Sequence, residues 1–175
     1  MQTIEITDIK NFTGKLLLGE EFDKFQLIEA QVSTSVDFII NGNINREFFD
    51  ESSETTPYVL WKDIKPFVLS FIKGKVLPIR FRLIFSLKNA DIPKLIQKYE
   101  LNEDPENISS LNFTILYERD HKDPENFEDP DDIIKANPDQ RMICTTGFAR
   151  KNFTLDKTIE NFWDETIEKF INKLQ

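Results

Sequence analysis

Between Leu77 and Lys88 every odd position is apolar (Leu77, Ile79, Phe81, Leu83, Phe85, Leu87), while the even positions include Arg80, Arg82, Ser86 and Lys88. Side chains alternate across a strand, so this period of two predicts one buried and one wet face, which suits an antiparallel sheet. Leu111, Phe113, Ile115 and Tyr117 repeat the pattern, and Arg141 to Arg150 predicts a strand paired with them. Phe25 to Ser35 and Val36 to Asn45 read as an N-terminal strand pair that ends in the Asn41-Gly42-Asn43 turn signal.

Helical spacing is clearest at the C-terminus. Ile159, Phe162, Trp163, Thr166, Ile167, Phe170, Ile171 and Leu174 follow i, i+3, i+4, i+7, with Asp156 placed to cap the helix. Thr7 or Asp8 caps a helix through Ile9, Phe12, Leu16 and Leu17. A second helix has apolar positions Leu60, Trp61, Ile64, Phe67, Val68, Phe71 and Ile72, with Gly74 at its C-terminal cap. Pro66 belongs either to the first turn of a helix starting near Asp63 or to a kink in a longer one. A third helix spans about Asp91 to Glu100, with Pro93 in its first turn. The order is α-ββ-α-β-α-ββ-α. Because strands come in adjacent pairs, the expected class is α+β: a mostly antiparallel sheet of about five strands with three to four helices, one domain over residues 1–175.

Composition and charge narrow the function. The 175 residues include 16 Phe but one His, one Cys and five scattered Gly, so core-building residues abound and chemistry-bearing ones are scarce. The net charge of −9 disfavours nucleic acid as a partner, since phosphates repel an acidic surface. No apolar run approaches the ~18 residues of a spanning helix. Met1 to Lys10 lacks the pattern of a signal peptide, so no membrane association and a cytoplasmic location are expected. On that expectation the four Asn-x-Ser/Thr sequons, at Asn11, Asn107, Asn112 and Asn152, carry no glycan. Two-thirds of the charge lies in Glu118 to Asp139, where nine acidic residues meet three basic ones and prolines 124, 130 and 138 interrupt any regular element. That stretch reads as an acidic loop inserted between two paired strands.

Candidate chemistry is sparse. His121 falls in the acidic loop, with no second histidine to complete a dyad. Cys144 shares a strand face with Met142 and Phe148, which predicts a buried, inert thiol. Asp129, Asp131 and Asp132 cluster carboxylates as a hard cation would require, but the glycine and closing glutamate of a calcium loop are absent, so no metal site is assigned. The five glycines are isolated, which removes phosphate-cradling loops, and no cofactor is expected. The strongest candidate surface is the polar sheet face: Arg80 and Arg82, with Asn112, Thr114 and Thr145 on the same side. Two guanidinium groups on a rigid sheet suit a small anionic ligand or a protein partner.

Four blocks carry a resemblance: Ile4-Glu5-Ile6-Thr7-Asp8 with Lys15-Leu16-Leu17-Leu18; Phe22-Asp23-Lys24-Phe25 with Glu29-Ala30; Leu60-Trp61-Lys62-Asp63 with Pro66-Phe67, Ile72-Lys73-Gly74-Lys75 and Pro78; and Cys144-Thr145-Thr146-Gly147 with Phe153-Thr154-Leu155-Asp156-Lys157 and Trp163-Asp164. In this order they resemble a small uncharacterised family of Gram-positive, largely anaerobic bacteria. The resemblance implies no activity. It implies a short turn between Tyr117 and Met142, which makes the acidic stretch an elaboration. The leading expectation is a non-catalytic cytoplasmic binding or protein-interaction domain, with self-association open. The alternative is a small enzyme acting through carboxylates and Arg, with a divalent cation. A concave pocket lined by Arg80, Arg82 and convergent carboxylates favours the enzyme, and a flat sheet face favours the interaction module.

Overall fold

The computed structural model describes residues 1–48, 56–72, 78–119 and 140–175. The order is β1 (Thr3–Glu5), α1 (Ile9–Leu17), β2 (Gln26–Ser33), β3 (Asp37–Asn41), β4 (Val59–Leu60), α2 (Trp61–Ile72), β5 (Arg80–Ser86), α3 (Ile92–Lys98), β6 (Ile108–Arg119), β7 (Gln140–Arg150) and α4 (Thr158–Asn172). The class is α+β. The sheet runs β1-β7-β6-β5-β2-β3, with β4 also on β2, and every described pairing is antiparallel.

Seven strands among the described residues replace the expected five or so. The two additions, β1 and β4, span three and two residues, too short to show a period. β1 is tied to β7 by its register, with Thr3 opposite Thr145 and Glu5 opposite Ile143. β4 exists because β3 leaves β2 at Gly42 and the chain returns beside Gln26 and Leu27. The Asn-Gly signal therefore marks this exchange of neighbours rather than a hairpin turn. A Cβ at position 42 would lie 1.8 Å from the Leu27 carbonyl oxygen, so only glycine permits the crossing.

The four described helices pack on one face of the sheet. Phe81, Leu83, Phe85, Leu111, Phe113, Ile115, Met142 and Cys144 point toward them and join Phe12, Leu16, Trp61, Val68, Ile96, Trp163, Ile167 and Ile171 in one buried cluster. Six phenylalanine rings, Phe12, Phe22, Phe25, Phe85, Phe113 and Phe170, meet in a connected set of edge-on, tilted and stacked contacts. Both tryptophans find acceptors for their buried indole N–H groups: Trp61 donates to the Leu16 carbonyl at 3.0 Å and Trp163 to the Asn112 carbonyl at 2.9 Å.

Local signals explain most boundaries. The Asp8 carboxylate accepts the Asn11 amide at 3.0 Å and opens α1. Asp156 lies one residue before the cap position of α4 and accepts the Thr158 amide at 2.8 Å. Three helix details depart from the expectation. α2 begins at Trp61, so Pro66 lies past the first turn, where its missing amide falls on the exposed side. Phe67, expected on the apolar stripe, is 59 % exposed. α3 ends at Lys98 rather than Glu100, because Glu100 takes a left-handed conformation (φ 51°) and the Leu101 amide folds back to the Ile96 carbonyl. Gly74, Leu77, His121, Asp129, Asp131, Asp132 and most of the acidic stretch lie outside the described residues. Among the described residues no helix is long and apolar enough to cross a membrane.

Candidate functional site: the outer sheet face

The face of the sheet opposite the helices follows from strand register alone. One row across it reads Arg141, Glu118, Arg80, Ser33, Asp37. The next reads Glu5, Ile143, Leu116, Arg82, Gln31, Ile39, and the third Thr3, Thr145, Thr114, Ile84, Glu29, Asn41. A fourth carries Gly147, Asn112, Ser86 and Gln26. Arg80, Arg82, Asn112, Thr114 and Thr145 thus share one face, but they occupy four different rows. At two residues per row, Arg80 and Asn112 are about 20 Å apart. Among the described residues these side chains make a surface, not a pocket.

Both guanidinium groups already hold carboxylates. Arg82 pairs with Glu29 at 2.6 Å and Arg80 with Glu118 at 3.3 Å. All four side chains are partly exposed, so each pair is worth little by itself. Their effect is to neutralise the face, which leaves an incoming small anion no unclaimed arginine at these positions. The centre of the face is apolar. Leu116 sits directly opposite Ile143, and Ile84 lies diagonally beside Leu116; all three are half-buried. Thr3, Thr114 and Thr145 border them, with the Thr3 and Thr145 hydroxyls 3.4 Å apart.

Three buried polar atoms of this face lack a hydrogen-bond partner among the described residues: Gln26 Oε1, Asn112 Oδ1 and Arg82 Nε. Gln26 and Asn112 flank Ser86 in the fourth row. An unmet buried polar atom costs about 1–3 kcal/mol.

Carboxylates and arginine converge at a place that sequence spacing does not indicate. Arg150, Glu103, Asp104 and Asp156 line a cavity of about 550 Å³ with Asn107 and Asn152. Arg150 and Glu103, both largely buried, form a short ion pair, and the guanidinium lies 5.3 Å over the Phe148 ring. The two residues are 47 positions apart in the chain, so only the fold unites them. Asp156 is not poised as a proton donor at neutral pH. The Thr158 hydroxyl and amide hold its carboxyl below the usual range, the opposite of what a general acid requires. Cys144 is fully buried, and burial pushes its thiol up to about 12, so the thiolate nucleophile is suppressed. Among the described residues no group of three or more His, Cys, Asp or Glu is placed to hold a metal ion.

The architecture is therefore an antiparallel sheet with helices on one side and a neutralised, apolar-centred face on the other. The chain belongs to the DUF5721 family, a family of unknown function, whose model matches residues 15–122 and 136–175. Residues 123–135 fall between the two matched segments, within the acidic stretch. No curated protein and no solved structure matches the chain.

Proposed function

We propose that this chain is a single α+β domain, with the acidic stretch at about 118–139 as an insertion, that acts in the cytoplasm as a non-catalytic interaction module. Its partner is a protein that docks on the outer sheet face. The observation that carries this reading is the cluster of Ile84, Leu116 and Ile143, half-buried at the centre of a rigid sheet and bordered by threonines and paired charges. An apolar centre with a polar rim is the anatomy of a protein interface. The unpartnered Arg82 Nε and Asn112 Oδ1 add hydrogen-bonding capacity at this face. The engaged arginines favour a protein over a small anion.

The test places a photo-crosslinking residue at Thr114 or, as a control, at Lys62 on the exposed side of α2, in the cells that produce the protein. A discrete adduct at Thr114, none at Lys62, and loss of the Thr114 adduct on Leu116→Arg with unchanged melting is the expected result. An adduct of twice the chain mass identifies the partner as a second copy. No adduct at Thr114, or equal adducts at both positions, refutes the reading.

A further inference from the structure

A separate feature lies in the helical layer. Between α3 and α4 is a groove of about 280 Å³ whose floor includes Phe25, Trp163 and Phe170. Lys24, Lys94 and Lys98 stand around it, against one carboxylate, Asp91. Three ammonium groups against one carboxylate is a local excess of positive charge in a chain of net −9.

The lysines differ in their engagements. Lys94 is held by Asp91 at 2.8 Å. Among the described residues neither Lys24 nor Lys98 has a carboxylate within 4 Å. Instead the Lys24 ammonium lies 5.2 Å from the Phe25 ring and 5.4 Å from that of Phe170, and the Lys98 ammonium lies 5.1 Å from Tyr99. Ring faces attract these cations and keep them beside the apolar floor.

A neutral apolar molecule would cover the floor and leave the ammonium groups unanswered. A cation would be repelled. An anion with an apolar body satisfies both, its body on the aromatic rings and its charge between Lys24 and Lys98. We propose that the groove binds a small carboxylate with an apolar body. Its volume of about 280 Å³ suits the apolar body of a medium-chain acyl or single-ring aryl acid.

The test is an NMR titration of the ¹⁵N-labelled full chain with sodium octanoate and with sodium 3-phenylpropionate, and with 1-octanol as the uncharged control. Saturable shifts at Lys94, Lys98, Tyr99 and the Trp163 indole are expected, with the tighter acid assigning the acyl or the aryl class. The exposed pair Lys24→Gln and Lys98→Gln should melt within about 5 °C of the wild type, weaken either acid by at least about tenfold, and leave 1-octanol unaffected. The proposal is overturned if neither acid gives saturable shifts by about 10 mM. Equal binding of 1-octanol and octanoate, or wild-type affinity in the double variant, overturns it as well.

Discussion

Phe22 lies in the turn between α1 and β2, where no regular element demands a large side chain, yet it is fully buried. Its ring centroid is 5.7 Å from Phe12 of α1, 5.7 and 6.3 Å from Phe85 and Phe113 of the sheet, and 5.1 Å from Phe170 of α4. One turn residue therefore joins two helices to the sheet. Replacing a buried Phe by Ala costs about 3–5 kcal/mol in lost transfer energy and cavity formation. Domains of this kind have only about 5–15 kcal/mol of stability in total. At about 2–4 °C per kcal/mol for this chain length, Phe22→Ala should lower Tm by about 6–20 °C. Phe67→Ala, at a site 59 % exposed, should cost less than about 1 kcal/mol. Urea unfolding followed by circular dichroism gives both values, with constant m as the check on two-state behaviour. A double-mutant cycle between Phe22 and Phe170 should return a coupling of about 0.5–1.5 kcal/mol from the edge-on ring contact. If Phe22→Ala costs under about 1 kcal/mol, or no more than Phe67→Ala, the claim that this ring unites the layers is wrong.

Two glycines should respond in opposite directions. Gly42→Ala drives a methyl group into the Leu27 carbonyl and should cost about 2–3 kcal/mol. Gly14→Ala in α1 meets open space and should gain about 0.5–1 kcal/mol from helix propensity, so equal and same-signed shifts in urea midpoint would contradict the local geometry. Native Cys144 should resist a disulfide-exchange reagent at pH 8 and react only as the protein unfolds; native labelling at the denatured rate would refute its burial. Its folded pKa, raised from 9.0 to about 12, also has a stability consequence. The unfolded thiol ionises first as pH rises, so the unfolded state loses protons before the native one. The stability of the wild type relative to Cys144→Ala is thus fully present below pH 9 and is lost between about 9 and 12.

Legibility in the sequence tracked the length of each repeating pattern. The segments of β5 and β6 carry six and four apolar positions at a spacing of two, β7 repeats the alternation at Met142, Cys144 and Phe148, and α4 spans four turns, so each declared its type and its buried face. Phe81, Leu83, Phe85, Phe113 and Cys144 all lie on the side that alternation assigns them. Phe67 broke the rule because its neighbours Val68 and Ile72 already supply the buried side of α2. Of the candidate surface, the shared face of Arg80, Arg82, Asn112, Thr114 and Thr145 was legible, since parity fixes which way a strand side chain points. Their dispersal over four rows and the carboxylates that occupy both arginines were not, because register depends on which strand pairs with which.

Parity and helical period are properties of neighbours in the chain, so the sequence by itself determined the α+β class, the apolar faces of β5, β6, β7 and α4 and the burial of the single cysteine. The tertiary structure decided what distant segments do to one another. It set β1 on β7, let β4 take the place of β3 beside β2, and brought Arg150 to Glu103 across 47 residues. It also gathered Lys24, Lys94 and Lys98 around one aromatic groove. These contacts join residues far apart in sequence, and no local preference specifies a partner that only the closure of a long loop brings within reach.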